Sequence, residues 1–113
     1  MKLDSTQQAL LQLLAWLALQ CGQPRRAVDL LELHLQLQPG ALEARRMLLV
    51  ALLRMGDGAG ALAQCAVLRG QGEQGAPLWL CQSQAYQLSG QPAAAREAYE
   101  YYLKLKVVDE QVV

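Results

Sequence analysis

Residues 86–99 read Tyr-Gln-Leu-Ser-Gly-Gln-Pro-Ala-Ala-Ala-Arg-Glu-Ala-Tyr. A glycine stands at 90, a proline at 92 and an alanine at 95, between aromatic residues at 86 and 99. Glycine suits the left-handed backbone that ends a helix, and proline is tolerated in the first turn of the next one. A small alanine lets two helices cross closely. The same pairing occurs at Gly56 with Ala61 and at Gly22 with Ala27, so the period is 34 residues, twice, without insertion. That is the length of the tetratricopeptide (TPR) helix–turn–helix unit.

The register extends over repeats 8–41, 42–75 and 76–109. The third fits best, with Trp79, Ser83, Tyr86, Gly90, Ala95 and Tyr99 in the large, small, aromatic, glycine, alanine and aromatic slots. The first carries Leu11, Leu14, Ala15, Gly22, Ala27, Leu31 and Pro39; the second carries Leu48, Leu52, Gly56, Ala61 and Cys65, with Arg45 where a large apolar residue is usual. The expected fold is all-α: three tandem TPR helix–turn–helix repeats forming a short right-handed solenoid, a single domain over 1–113. Helices are expected at about 5–21, 24–37, 41–55, 59–69, 77–89 and 92–106. Ser5 with Gln8 reads as a capping box opening the first. Leu14, Ala18, Leu31, Leu48, Leu52 and Tyr86 are expected in the core. Gly70 to Pro77 reads as a glycine-rich loop, and Gly58 and Gly60 make the fourth helix the poorest and the first to open.

Composition narrows the function. The chain has 113 residues, 53% of them hydrophobic, enough for one small core. Ten basic residues balance ten acidic ones, which disfavours nucleic acid or an anionic membrane as partner. Three cysteines without a CxxC pair fit a reducing cytoplasm better than a disulfide framework. The apolar run Ala9 to Leu19 is too short to span a bilayer. With Asp4, Gln7 and Gln8 ahead of it, it reads as a helix and not a secretory signal.

In stacked repeats the first helix of each pair lines a concave face. The register places Ala9, Gln12, Trp16, Leu19 and Gln20 there from the first repeat, and Glu43, Arg46, Val50, Leu53 and Arg54 from the second. Leu80, Gln84, Gln87 and Leu88 come from the third. Trp16, Leu19, Val50, Leu53, Leu80 and Leu88 form an expected apolar floor; Arg46, Arg54 and the glutamines form a polar rim. The floor is surplus to the repeats' own packing, so an amphipathic helix or extended peptide from another chain is its expected occupant. The N-terminal helix or a second copy is the alternative. The sixth helix, with Tyr99, Tyr101, Tyr102, Leu103 and Leu105, lacks the polar outer face of a usual end cap. Three repeats are near the minimum for a stable stack, so marginal stability alone is expected.

No residue set points to catalysis, a cofactor or a metal. His34, the single histidine, falls in a second-helix packing slot, and His34→Ala is expected to leave function intact. Cys21, Cys65 and Cys81 sit on different helices without ligand spacing and read as small buried thiols. Arg25-Arg26 and Arg45-Arg46 suit helix-face ion pairs or a groove rim, and Asp109-Glu110 a solvated terminal pair. Gly56 to Gly60 lacks the Lys-Ser/Thr of a phosphate loop.

Leu17-Ala18-Leu19-Gln20-Cys21-Gly22, continuing through Arg26-Ala27 and Leu30-Leu31 to Pro39, resembles the SctY (YscY-type) chaperones of bacterial type III secretion. So do Ala44-Arg45-Arg46 with Leu49-Val50-Ala51-Leu52-Leu53, and Trp79-Leu80-Cys81-Gln82-Ser83. Ala95-Arg96-Glu97-Ala98-Tyr99 and Tyr102-Leu103-Lys104-Leu105-Lys106 extend the likeness over about 8–106. The glycine-rich stretches 56–60 and 70–75 depart from it. The resemblance implies a cytosolic injectisome chaperone that binds SctX, a small early-exported protein, and is linked to the export gate SctV at the inner membrane. A heterodimer with the client is expected, or a homodimer without it. Rival readings are a chaperone for needle subunit or translocators, an envelope scaffold anchored after processing at Cys21, and an enzyme using His34 with a cysteine.

Overall fold

The computed structural model describes the backbone from Lys2 to Val112 and side chains as far as Val108. Six helices follow in order: α1 (Ser5–Gln20), α2 (Pro24–Leu37), α3 (Leu42–Arg54), α4 (Gly58–Gly70), α5 (Ala76–Leu88) and α6 (Pro92–Val112). The described residues contain no strand. The architecture is all-helical and of the helical-repeat kind. The expected Asp109-Glu110 pair has its side chains outside the described residues.

The repeat glycines do what their spacing predicts. Gly22, Gly56 and Gly90 have φ of 72°, 75° and 72°, a region that side-chain-bearing residues rarely enter. At Gly22 the following Gln23 N–H donates to Ala18 O over 2.8 Å, and at Gly90 the Gln91 N–H donates to Tyr86 O over 2.9 Å. These bonds satisfy last-turn carbonyls, which is the Schellman arrangement. Gly72, with φ of 96°, ends α4 the same way, Glu73 N–H donating to Leu68 O. The expected loop over Gly70–Pro77 is therefore shorter. Gly70 closes α4, and Ala76 and Pro77 already belong to α5.

The start of α1 corrects another expectation. Its N-cap is Asp4, not Ser5. Asp4 Oδ1 accepts from Gln7 N–H at 2.8 Å, and Gln7 Oε1 accepts from Asp4 N–H at 3.1 Å. The box is the one expected, one residue earlier.

The chain forms two compact units, one running to Met55 and the other starting at Gly56. In the first, α2 packs against both α1 and α3. Its core holds Ala15, Ala18, Leu19, Ala27, Val28, Leu31, Leu48, Leu49 and Leu52. Ala15, Ala27, Ala44 and Ala51 are fully buried, and their small size lets helix backbones approach. In the second, α5 packs against α4 and α6. Ala61, Cys65, Leu68, Leu78, Ala85, Ala95 and Ala98 are its interior, and the buried Ser83 hydroxyl donates to Ala95 O at 2.7 Å.

Gly58 is where the sequence reading of α4 needs revision. Glycine there is not only a weak helix former. A methyl group on it would meet the Ser89 hydroxyl, lie 2.8 Å from Ala85 O and 2.9 Å from Ser89 N. The residue is buried, and α4 rests on the end of α5 because nothing larger stands there. Asp57 caps α4 by accepting from Gly60 N–H at 2.9 Å.

Candidate functional site

The residues expected on the first-helix face divide between the two units. In the first unit, α1 supplies Gln12, Trp16 and Leu19, and α3 supplies Arg46, Val50, Leu53 and Arg54. Trp16 and Val50 hold the same register position, 34 residues apart, and remain 48% and 38% exposed. Gln12 and Leu53 are half-buried. Leu19 is 6% exposed; it belongs to the core and offers no floor. The two arginines are held in place. Arg46 pairs with Glu43 one turn earlier on α3. Arg54 Nη1 donates to Leu19 O at 3.1 Å, so the end of α3 satisfies a carbonyl in the last turn of α1. In the second unit, α5 supplies a half-buried Leu80 and exposed Gln84, Gln87 and Leu88, the last at 47%.

A further apolar feature of the first unit lies elsewhere. Leu14, Leu17, Ala18, Leu30 and Leu33 line an open trough of about 790 Å³ between α1 and α2, with Cys21, Gln23, Arg26 and Asp29 at one end. Leu14 was expected in the core; it is 41% exposed. Leu10 and Leu13 continue the stripe at 54% and 52% exposure. The signal was present in the spacing 10, 13, 14, 17, an apolar helix face. It was masked because α1 is apolar on nearly every side. The inward face is at Ala15, Ala18 and Leu19, and Leu10, Leu13, Leu14 and Leu17 point out.

The second unit carries a ladder of flat groups that spacing does not reveal. The Trp79 ring stacks on Tyr101 with centroids 4.8 Å apart, Arg69 lies over Trp79, and Lys104 Nζ sits 5.5 Å from the Tyr101 ring. Arg69 also donates to Gln82 Oε1. Below Trp79, a cleft of about 430 Å³ runs past Gln82, Tyr86, Ala94, Glu97 and Tyr101. Tyr86, expected in the core, is half-buried on its wall. Tyr99, Leu103, Val107 and Val108 are between 42% and 53% exposed, so α6 does present an apolar outer face.

His34 is fully buried. Its Nε2 lies 3.3 Å from Gln38 Oε1, and Gln38 Nε2 donates to Leu3 O at 3.3 Å. Its Nδ1 meets no partner among the described residues. The ring fills the core of α2 and ties down the residues before α1. Cys65 and Cys81 sit in the second unit, Cys65 buried and Cys81 partly so. Burial pushes the Cys65 thiol up to about 11, with the charge of Cys81 adding to it. Cys81 is raised by burial and by Glu73. Cys21, expected to be buried, is exposed. The described residues contain no group of three potential metal ligands. None of their helices is long and apolar enough to cross a membrane.

No protein-family model matches the chain. Individual proteins do. It is 43% identical over 110 residues to the chaperone protein YscY of Yersinia enterocolitica serotype O:8, covering 97% of this chain and 96% of the relative. It is 44% identical over 104 residues to the chaperone protein YscY of Yersinia pestis, covering 92% and 91%.

Proposed function

This chain belongs to the YscY family of chaperones, and we propose that it serves type III secretion by holding one dedicated protein client. The proposed client is an SctX-type early export substrate. Its apolar helical segments would lie along the first-helix positions Gln12, Trp16, Arg46, Val50, Leu53, Arg54, Leu80, Gln84, Gln87 and Leu88. The chaperone then brings the client to the export gate SctV, working in the bacterial cytoplasm and at the edge of the secretion apparatus. The relatives are named as chaperones and not as enzymes, and the mechanism is steric: the client's apolar surface is kept from water and from aggregation until export.

One observation carries this reading. Trp16, Val50 and Leu88 keep 38–48% of their surface in water at first-helix positions. Fully burying such a side chain is worth roughly 1.5–3 kcal/mol, so each retains about half of that for a partner. Association itself costs about 4–15 kcal/mol, so several such contacts must act together. Arg54, already fixed on Leu19 O, loses little further freedom when it meets a client.

The test is co-expression with a tagged SctX-type protein, followed by pull-down. The expected result is a heterodimer lost in Trp16→Glu and Val50→Glu, with helicity unchanged by circular dichroism. Capture of a needle subunit or translocator in place of SctX would reassign the client. Full capture of SctX by both variants would move the client off this face.

A further inference from the structure

We propose that Arg54 selects the client: it takes a carboxylate that the client helix carries about one turn from the apolar residue covering Trp16 and Val50. The inference rests on the reading above and adds to it the chemistry of the partner. Arg54 Nη1 donates to Leu19 O at 3.1 Å, so the guanidinium reaches from α3 to the end of α1. Helix α2 packs against both of these helices. An exposed side chain that bridges them lies on the side away from α2, the side that the exposed Trp16 and Val50 share. Arg54 follows Val50 by four residues, and Leu19 follows Trp16 by three. Residues so spaced are neighbours along one helix face, so the cation stands about one turn beyond the apolar pair.

Charge names the group that meets it. Between Ser5 and Gln20, α1 carries no charged residue. On α3 the one acid, Glu43, is paired with Arg46. Arg54 forms no ion pair among the described residues; its contact is a neutral carbonyl. The face therefore offers two apolar side chains and one cation that no carboxylate balances. A single carbonyl uses only part of a guanidinium's fork of donors, and the remainder matches a carboxylate in both geometry and charge. A basic client segment is repelled there. A wholly apolar one strips water from Arg54 and returns no hydrogen bond. A client helix with Asp or Glu three or four residues from its apolar anchor satisfies the pair and the cation together.

The experiment measures Kd between the full chain and a purified SctX-type client by calorimetry, at low and at high salt. Arg54→Gln is expected to weaken binding roughly fivefold and Arg54→Glu roughly tenfold or more. Added salt weakens the wild-type complex more than that of Arg54→Gln, because the ion pair is screened. Each Asp and Glu of the client is then exchanged for Lys in turn. One exchange restores binding to Arg54→Glu to within about threefold of wild type, because only a direct pair is repaired by swapping charges. An Arg54 that merely steadied the end of α1 would lower the melting temperature of the free chain, yet leave the salt dependence unchanged and find no rescuing lysine. Either of those two results overturns the proposal, as does undiminished binding by Arg54→Glu. Trp16→Glu and Val50→Glu separate the two levels. If both keep the client, the face is wrong and the carboxylate site falls with it. If both lose it while Arg54→Glu keeps it, the face stands and only the role of Arg54 falls.

Discussion

The Arg69 guanidinium lies 3.9 Å from the centroid of the Trp79 ring. The contact joins the last turn of α4 to the first turns of α5, and Trp79 passes it on to α6 through Tyr101. Three helices of the second unit are thus fastened by one ladder that is half open to solvent. Cation–π contacts contribute about 0.5–1 kcal/mol at exposed sites and more when desolvated. Arg69→Ala is therefore expected to lower stability by about 1 kcal/mol in urea unfolding. Trp79→Ala removes both partners' contacts and costs more. The Trp79–Tyr101 coupling in a double-mutant cycle should be about 0.5–1.5 kcal/mol; a value near zero would show that the rings merely touch.

Two glycines of α4 predict opposite signs. Alanine is the better helix former by about 1 kcal/mol. At Gly70 a methyl group meets nothing within 4 Å, so Gly70→Ala should raise the melting temperature. At Gly58 the same methyl runs into Ala85 O and Ser89 N, which are backbone and cannot swing away. Gly58→Ala should therefore destabilise, by more than the propensity gain can offset. Thermal unfolding of the two variants side by side decides it, and equal shifts would mean that α4 does not press on α5.

These cases also show what can be read without coordinates. Gly22, Gly56 and Gly90 were legible because a positive φ admits almost no other residue, and their period located every helix to within about two residues apart from the end of α6. The cap at Asp4 was missed because Asp4–Gln7 and Ser5–Gln8 satisfy the same chemical pattern, and only backbone geometry separates adjacent registers. Leu14 and Leu19 were misplaced for a different reason. A helix as uniformly apolar as α1 has no polar side to orient it, so its inward face is set by where α2 can approach, at Ala15 and Ala18. The Arg69–Trp79–Tyr101 ladder spans three helices, and no local spacing encodes it.

The three thiols should separate cleanly in alkylation. Cys21 is exposed. Cys65 is pushed up to about 11 and Cys81 is raised as well, so at pH 8 both hold their protons, and the thiolate is the reactive form. Mass spectrometry after a short iodoacetamide pulse should find label on Cys21 first and on Cys65 last, the latter only at the rate of unfolding. The same shift has a stability consequence. Above the unfolded thiol's value near 9, the unfolded chain releases the Cys65 proton while the folded chain keeps it. The unfolded state then binds fewer protons, and stability falls as pH rises through 9 toward 11. Cys65→Ala should flatten that alkaline decline.

Client binding should appear as heat resistance. With Trp16, Val50 and Leu88 in water, the isolated chain should bind hydrophobic dyes and melt low, as expected of only three repeats. A ligand that binds only the folded state adds RT ln(1 + [L]/Kd), about 2.7 kcal/mol at a hundredfold excess over Kd. For a domain of this size each kcal/mol is worth roughly 4–8 °C, so an SctX-type client should raise the melting temperature by about 10 °C or more and reduce dye binding. The rise should grow with the logarithm of client concentration and shrink in Trp16→Glu and Val50→Glu. If the lone chain melts high, ignores the dye and gains nothing from the client, its apolar surface is already covered from within.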